Sequence, residues 1–310
     1  MQKSFNFLSV LSILGLTFFL VNATKVDTKN KNQHQISKDS IDKSVSDLYE
    51  IKAVKLPSYM EFAGEPVPLE KADIRERMDR ELLVNTYWQS NGLLLMKRAN
   101  KFFPIIEPLL AEYGLPDDFK YLALAESGLM NVTSRAGASG FWQFMRATAK
   151  EYSLEVNDNV DERYNVELAT KMAVKYLQKS KEKFGTWTLA AAAYNAGNAK
   201  INRRLSEQKV SDYYDLLLNM ETSRYVFRIL ALKEIISNPK KYGFVIDQED
   251  LYQPTPTYDV QVDYPIANLA DFAKKHNVTY KELKLVNPWL RQTKLNNASK
   301  KKYTFKIPVN

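Results

Sequence analysis

The feature that most constrains the fold is a helical hydrophobic periodicity that extends from about Lys71 to Asn238. Apolar residues recur there at intervals of three and four, which places them on one face of successive helices. The cleanest stripe, within a helix predicted at 165–181, consists of Ala169, Met172, Ala173, Tyr176 and Leu177. Stripes of this kind form cores by default, so the sequence predicts a mainly α domain of packed amphipathic helices.

The same pattern predicts further helices, the first of them before this domain and most of them within it, and we place the domain at 101–240. Their predicted ranges are Ile74–Met96, Ala99–Tyr113, Asp117–Ser127, Thr186–Ala196 and Glu221–Ser237. The pattern changes after Pro239, where two strand-like segments enclose two short helices. These segments are 258–262, 268–276, 280–285 and 303–308. A small β-α-α-β module at 255–310 is therefore expected to follow the helical domain.

The first residues of the chain are typical of an export signal. Lys3, the apolar run Phe7–Val21 and the small residues Val21-Asn22-Ala23 predict a signal peptide at 1–23. The run is slightly short for a membrane span, and an uncleaved membrane anchor is the alternative. In both cases the rest of the chain is expected outside the cytoplasmic membrane, in the periplasm or cell envelope.

Two segments separate this signal from the helical domain. Residues 24–55 are polar and nearly free of large apolar side chains in their first thirty positions, which predicts a flexible tether. Residues 56–100 are expected to form an N-terminal extension packed on the helical domain, beginning with an extended stretch at 56–68.

The amino-acid composition excludes several kinds of catalytic and structural site. The chain has no cysteine, which excludes thiol nucleophiles, disulfides, cysteine–zinc sites and a lipidated cysteine anchor. Its two histidines are His34, in a polar stretch, and His276, far from every motif, so neither a Ser-His-Asp triad nor a histidine metal site is expected. An enzyme of this composition must use carboxylates, hydroxyls and amides, and we expect no metal and no cofactor.

The net charge of +8 has two interpretations. It can belong to a solvated lysine-rich surface, or it can attract the chain to an anionic polymer or a membrane face. No basic stretch is interleaved with aromatic residues in the way that nucleic-acid stacking requires. We therefore expect no nucleic-acid partner.

Glu126 is the candidate catalytic residue. Phe119, Leu122, Ala123 and Glu126 recur at the spacing of one helical face, and Gly128 is a natural terminator just beyond them. Burial and the negative end of the helix dipole would both raise the pKa of the Glu126 carboxyl. Such an acid stays protonated near neutral pH and can donate its proton. The alternative is a glutamate that simply points to solvent.

Four short motifs follow one another in a characteristic order. They are Glu126-Ser127-Gly128, Gly140-x-x-Gln143-x-Met145, Ala193-Tyr194-Asn195-Ala196-Gly197 and Glu221-Thr222-x-x-Tyr225-Val226. With this order and spacing, residues 106–236 resemble the soluble-lytic-transglycosylase family, which has a lysozyme-like fold. Together with residues 82–117, the tether and the C-terminal module, the chain is similar to the membrane-bound lytic murein transglycosylase D type.

The resemblance implies cleavage of the β-1,4 bond between N-acetylmuramic acid and N-acetylglucosamine in peptidoglycan, which leaves a 1,6-anhydro ring on the muramic acid. Glu126 would be the sole catalytic group, first acid and then base, with assistance from the N-acetyl group of the substrate. Most glycosidases use two carboxylates instead, and the first three motifs contain no second one. The nearest candidates are Asp158, Asp161 and Glu162, for which helix capping is the alternative role.

The resemblance also implies substrate-binding roles at other positions. The residues are Ser127, Ser134, Gly137, Gln143, Met145, Tyr194, Asn195, Glu221 and Tyr225. The serine hydroxyls would orient the acid and the N-acetyl group, and Gly137 and Gly140 would bring the backbone close to the sugar. Glu221 would position Tyr194 or Tyr225. Helix-end serines, simple turns and a buried tyrosine are the structural alternatives.

Trp142 and Phe144 lie inside the second motif and are expected in the core. Trp142 departs from the small aliphatic residue that the family has at this position. Stacking of Trp142 on a sugar ring is therefore the alternative.

The C-terminal module resembles a LysM module, which binds glycans that contain N-acetylglucosamine. Asn287-Pro288 and Ile307-Pro308 fit that pattern, whereas Asp263-Tyr264-Pro265-Ile266 replaces the usual Gly-Asp-Thr-Leu turn. Two roles stay open for the module: binding of glycan, and contact with the catalytic domain.

These observations favour an exported peptidoglycan lytic transglycosylase that acts as a monomer on glycan strands. Among enzymes, the alternative is a lysozyme-type hydrolase, which would need a second carboxylate in the cleft. Outside enzymes, the alternative is a non-catalytic peptidoglycan-binding scaffold. A scaffold would be expected to have lost part of the set formed by Glu126, Gln143, Tyr194 and Asn195.

Overall fold

The computed structural model describes residues 51–309. The predicted signal peptide at 1–23 and most of the predicted tether at 24–55 lie outside these residues. Val54–Asn310 forms one compact unit by its internal contacts. No helix within residues 51–309 is both long enough and apolar enough to cross a membrane.

Helices carry most of the described chain, and its strands lie in two small antiparallel sheets. The helices are α1 (Ala72–Tyr87), α2 (Gln89–Glu112), α3 (Phe119–Ser127), α4 (Arg146–Glu151), α5 (Val166–Phe184), α6 (Trp187–Ala196), α7 (Asn198–Gln208), α8 (Met220–Ser237), α9 (Leu269–Lys275) and α10 (Tyr280–Val286). The strands are β1 (Glu61–Phe62), β2 (Glu65–Pro66), β3 (Thr257–Val262) and β4 (Tyr303–Pro308). The mainly α class that the periodicity predicts is confirmed.

The predicted division of the first two helices is wrong. The helix expected at 74–96 is broken at Trp88, whose φ of −87° and ψ of 60° lie outside the helical region. The two helices that result pack on different partners, α1 on α8 and α2 on α5, so the chain turns between them. Because the residues on both sides of Trp88 are apolar at helical spacing, the periodicity does not reveal this turn.

The helix that was expected to begin at Ala99 is the continuation of α2, which passes through Pro104 and Pro108. Each proline removes a backbone hydrogen bond and is expected to cost about 3 kcal/mol in a helix interior. The helix is retained because its apolar face, which includes Ile106 and Leu110, is fully buried in the core. Tertiary packing therefore outweighs the local preference of the two prolines.

The extended stretch at 56–68 contains the short hairpin β1–β2 and lies against the helices. Phe62 is fully buried and packs edge-to-face on Phe119 of α3, with ring centroids 5.2 Å apart. The Glu65 carboxylate accepts hydrogen bonds from the backbone N–H groups of Trp187 and Thr188, at 2.6 and 2.8 Å. This carboxylate caps the N-terminus of α6, where negative charge is stabilised by the helix dipole.

Four helices form the frame that holds the candidate site. The helix α8 contacts both α3 and α6, and α5 packs along α6. The run of alanines at 190–193 in α6 is fully buried. Since alanine has no side chain beyond Cβ, these residues allow the neighbouring helices to approach α6 closely.

The C-terminal module has the predicted β-α-α-β order. Its strands pair in antiparallel register, from Thr257 opposite Pro308 to Val262 opposite Tyr303. The helices α9 and α10 cover one face of this two-stranded sheet, and Phe305 is fully buried beneath them. The small core of the module also includes residues from the helical domain, namely Val160 and Tyr164.

Candidate active site

Glu126 lies in the last turn of α3, on the helix face that packs into the protein. Phe119, Leu122 and Ala123 of the same face are fully buried. The helix ends at Gly128, which has a φ of 59° and lies in the left-handed region that favours glycine. Glu126 itself is partly exposed. Its carboxyl group is therefore surrounded by protein but can still be reached from outside.

The carboxyl group of Glu126 accepts a hydrogen bond from the hydroxyl of Tyr225 on α8. Burial raises the pKa of Glu126 from its ordinary value of 4.5 to about 7, and the Glu221 carboxylate contributes to the rise. The Tyr225 hydrogen bond and the Arg228 guanidinium oppose it. The pKa of Glu126 is thus raised in the direction that the sequence predicts, to a value at which both protonation states are present near neutral pH.

We expect Tyr225→Phe to raise the pKa of Glu126 above about 7, because the Tyr225 hydroxyl stabilises the charged carboxylate. The measurement is an NMR titration of the carboxyl carbon of Glu126. Tyr194→Phe is the matched control, since the Tyr194 hydroxyl donates to a backbone carbonyl rather than to Glu126. A Glu126 pKa that falls or stays constant in Tyr225→Phe would contradict this assignment.

Tyr194, at the end of α6, lies next to Glu126 but is held by a different partner. Its hydroxyl donates to the Trp142 carbonyl at 2.6 Å. Its ring packs edge-to-face on Tyr176 and in a tilted arrangement on Phe144, with centroid distances of 5.3 and 5.5 Å. Burial, with the nearby Glu126 as a further cause, raises the pKa of Tyr194 well above its usual value, so this hydroxyl stays neutral. Tyr194 joins α6 to the loop that carries Trp142.

We call residues 132–145 the site loop. It is a hairpin-like segment in which the Ser134 hydroxyl accepts a hydrogen bond from the Ala138 N–H at 3.1 Å. Gly137 and Gly140 have φ angles of 86° and 80°. A Cβ on Gly140 would lie 1.9 Å from the carbonyl oxygen of Arg163, whereas a Cβ on Gly137 would meet nothing within 4 Å. The close approach at Gly140 is therefore made to the protein itself.

Gln143 is strained and holds the site loop together. Its φ of 49° is unusual for a residue other than glycine. Its side-chain amide donates to the carbonyls of Val132 and Gly140, at 3.1 and 2.8 Å. Met145, which ends the loop, is 45% exposed. Strained residues of this kind are concentrated at functional sites.

Ser127, at the end of α3, and Trp142, in the site loop, both point into the protein. Ser127 is buried, and its hydroxyl donates to the Phe141 carbonyl at 2.8 Å. Direct contact between this hydroxyl and a sugar would require the bond to Phe141 to break. Trp142 is fully buried and donates from its indole nitrogen to the Thr170 hydroxyl at 2.9 Å. Trp142 is thus a core residue, as the sequence predicts, and it cannot stack on a sugar.

Asn195 and Glu221 lie together at the exposed edge of the site. The Asn195 amide is 3.5 Å from Glu221 Oε1, which is at the limit of a hydrogen bond. The expectation that Glu221 positions Tyr194 or Tyr225 is corrected here, because the contact that the structure gives it is with Asn195. Its carboxylate nevertheless lies close enough to Glu126 to raise the pKa of that residue.

Three acidic residues are the candidates that the sequence offers for a second catalytic carboxylate, and two of them are held in ion pairs. Asp161 forms a two-pronged ion pair with Arg163, with its closest contact at 2.8 Å, and caps the 3₁₀ turn Glu162–Tyr164. Glu162 is 2% exposed and binds Lys301 at 2.5 Å. Asp158 lies on the surface. Within residues 51–309 no three potential metal ligands of the His, Cys, Asp and Glu types are grouped closely enough to hold an ion.

Sequence reasoning missed two arginines. Arg228 follows Tyr225 by three positions on α8, so it shares the face that reaches Glu126. This spacing could have identified it. Arg163 donates to the carbonyls of Gly137 and Phe144, both at 3.0 Å, and so holds the site loop. No pattern in the sequence connects Arg163 with a loop some twenty residues earlier.

Comparison with known families gives two matches along the chain. Residues 103–217 match the model of the Transglycosylase SLT domain. Residues 258–310 match the model of the Soluble lytic transglycosylase C-terminal LysM-like domain. The order of the two domains is the order that the sequence predicts.

The chain is also similar to individual proteins. The chain is 28% identical over 243 residues to the Membrane-bound lytic murein transglycosylase D of Escherichia coli strain K12, a match that covers 76% of this chain and 52% of that protein. The chain therefore spans about half the length of this relative. Among solved structures it resembles an inactive mutant of the lytic transglycosylase Slt from Pseudomonas aeruginosa, with 20% identity, a TM-score of 0.37, and coverage of 49% of this chain and 26% of that one. The 70 kDa soluble lytic transglycosylase of Escherichia coli gives 18% identity, a TM-score of 0.39, and coverage of 57% and 33%.

Proposed function

We propose that this chain, which carries a transglycosylase SLT domain followed by a LysM-like domain of soluble lytic transglycosylases, is a peptidoglycan lytic transglycosylase. The substrate would be the glycan strand, cleaved at the β-1,4 bond between N-acetylmuramic acid and N-acetylglucosamine. The observation that carries the proposal is the Glu126 carboxyl group, with its pKa raised to about 7 beside the Tyr225 hydroxyl.

In the proposed reaction the protonated Glu126 gives its proton to the glycosidic oxygen as the C1–O bond breaks. Positive charge develops at C1 of the muramic acid, and the N-acetyl group of the substrate supports it in place of an enzyme nucleophile. The Glu126 carboxylate then removes the proton from the C6 hydroxyl, whose oxygen closes on C1. The product is a 1,6-anhydro ring, no water is consumed, and Glu126 is protonated again.

A pKa near neutrality suits a residue with both tasks. An acid of much lower pKa would hold no proton to give at neutral pH, and one of much higher pKa would be a weak proton donor. The Tyr225 hydroxyl supports the carboxylate form between the two steps. Its own pKa is raised well above the usual value by burial and by Glu126, so it remains a donor throughout.

The remaining residues would bind and position the glycan strand. Gln143, Met145 and Asn195 supply the accessible side chains around Glu126, while Ser134 and Gly137 shape the exposed turn of the site loop. Ser127 and Tyr194 would act indirectly, since their hydroxyls hold the carbonyls of Phe141 and Trp142.

We propose the domain limits that the sequence predicts, an extension at 56–100, a catalytic domain at 101–240 and a module at 255–310, with α2 running unbroken across the first of these limits. We also propose that the protein acts in the cell envelope. The N-terminal signal character supports this location, as does the name of the membrane-bound relative.

Two alternatives are distinguished by specific observations. A hydrolase would need a second carboxylate to activate water. Because Asp161 and Glu162 are held in ion pairs, Glu221 at the edge of the site is the residue that such a mechanism would have to use. A scaffold without activity would bind peptidoglycan but release nothing from it.

The proposal is tested by incubating the purified protein with purified peptidoglycan and measuring soluble muropeptides. We expect release, with kcat/KM falling as the pH rises through about 7, because Glu126 must enter the reaction protonated. Binding of peptidoglycan by a folded protein with no release at any pH would favour the scaffold. A rate that increases steadily above neutral pH would argue against Glu126 as the acid.

A further inference from the structure

The LysM-like module shares a core with the helical domain, through a segment that also supports the site loop. We call residues 155–164 the bridge segment. Its Val160 is fully buried among apolar residues of the module. The backbone N–H of Asp161 donates to the Trp289 carbonyl at 2.9 Å, and the Arg291 N–H donates to the Asn159 carbonyl at the same distance. One side of the bridge segment is thus part of the module.

Side chains of the bridge segment extend these contacts. The Asn159 amide donates to the Lys294 carbonyl at 2.7 Å, and its oxygen accepts from the Asn296 N–H at 2.8 Å. The buried Glu162 carboxylate accepts from Lys301 at 2.5 Å. Because Asn159 bonds to two backbone groups of the module, and more weakly to the Gln292 side chain at 3.4 Å, this contact fixes the module in position and orientation. A mobile module joined only by a linker would not make such contacts.

The other side of the bridge segment holds the site loop. Arg163 uses its guanidinium to bind the carbonyls of Gly137 and Phe144 and is itself oriented by Asp161. The carbonyl of Arg163 lies against Gly140 so closely that no side chain fits there. The two ends of the turn that carries Gln143 therefore depend on one arginine.

Tyr164 provides a second connection. Its hydroxyl is 2.6 Å from the Thr133 hydroxyl, which in turn is 3.0 Å from the Ser139 hydroxyl within the site loop. The Arg291 guanidinium of the module lies over the Tyr164 ring, 4.2 Å from its centroid, within the range of a cation–π contact. The module thus contacts the same residue whose hydroxyl bonds to Thr133 in the site loop.

We infer that the LysM-like module is a positioning element of the catalytic site, acting through the bridge segment on the site loop, rather than a detached wall-binding domain. Asn159 and Arg291 are the positioning residues on the two sides of the contact. The inference rests on the proposed transglycosylase function for its kinetic consequence. It does not rest on that function for its structural consequence, the order of the site loop.

Asn159→Ala and Arg291→Gln, each made in the full chain, test the inference. In both variants we expect the amides of Ser139 and Gly140, which bond within the loop, to exchange their hydrogens about tenfold faster than in the parent protein. We expect kcat on short soluble glycan strands to fall about tenfold, since misplaced catalytic groups reduce turnover. KM for the same strands should change by less than about twofold, because groups that only position others act mainly on kcat.

The controls separate positioning from wall binding and from loss of fold. Lys281→Gln removes one positive charge from an exposed part of the module and should leave exchange and turnover unchanged. Arg291→Lys keeps a cation near Tyr164 and should recover part of the loss. If Asn159→Ala fails to fold, Arg291→Gln still tests the inference, because the Arg291 side chain is exposed.

Unchanged exchange in the site loop of both variants would overturn the inference. So would a defect confined to binding of insoluble peptidoglycan, with normal turnover of short strands, since that pattern belongs to a wall anchor. If the parent protein proves inactive, the proposed function fails. Amide hydrogen exchange in the site loop would then still decide whether the module positions that loop.

Discussion

Glu126→Gln is expected to reduce the release of muropeptides by about 10³-fold, the usual contribution of a general acid and base. Glutamine has nearly the shape of a protonated glutamate and can still accept the hydrogen bond from Tyr225. It has no proton to give to the glycosidic oxygen and cannot take one from the C6 hydroxyl. The measurement is the initial rate of release from purified peptidoglycan, with binding to the same material as the control for an intact cleft.

The stability of this variant separates a chemical defect from an unfolded protein. The raised pKa of Glu126 means that the folded protein holds the proton more tightly than the unfolded chain does, where a glutamate titrates near 4.5. This contribution to stability is present below about pH 4.5 and is lost as the pH rises to about 7. Since Glu126→Gln carries no charge to bury, we expect its melting temperature at pH 8 to equal or exceed that of the parent protein. If Glu126→Gln melts normally and still releases muropeptides, Glu126 is not the catalytic acid and base.

Gly140→Ala is expected to cost about 4 kcal/mol of folding stability, from strain at positive φ and from overpacking. The added Cβ would lie 1.9 Å from the Arg163 carbonyl oxygen, and neither backbone can move without opening the site loop. At roughly 2–3 °C per kcal/mol for a domain of this size, the melting temperature should fall by about 10 °C. Activity should fall with it, because Gln143 and the carbonyl that Tyr194 binds belong to the same loop.

Gly137→Ala is the matched control. Gly137 has nearly the same φ as Gly140, but the space around its Cβ position is open. Only the backbone strain remains, about 1 kcal/mol or a little more. Equal losses of melting temperature in the two variants would mean that the contact between Gly140 and Arg163 is unimportant and that φ alone explains the requirement for glycine.

Local patterns were sufficient where the structure follows from local interactions. The placement of Glu126 depends on three apolar residues at helical spacing and on a glycine that ends the helix, and all of these lie within ten positions. Burial then raises the pKa in the direction that this placement predicts. The β-α-α-β order of the module likewise follows from alternation and short amphipathic runs.

The failures have one physical cause, which is contact between residues distant in sequence. The turn at Trp88 is set by the different packing partners of α1 and α2, and the prolines in α2 are tolerated because the face around Ile106 is buried. The inward role of Ser127 depends on a carbonyl fourteen residues away. The support that Arg163 gives to the site loop depends on a fold that the sequence pattern does not specify. The resemblance to a family indicated where the cleft lies. It did not indicate which distant residues hold the site loop in place.

The central claim is that Glu126 acts alone and that the C6 hydroxyl of the substrate takes the place of water. Mass spectrometry of the muropeptides released from purified peptidoglycan tests it most directly. Products that end in 1,6-anhydro-muramic acid, lighter by one water than hydrolysis products, are the predicted result. Reducing ends formed by addition of water would contradict the claim and would direct attention to Glu221 as a second carboxylate.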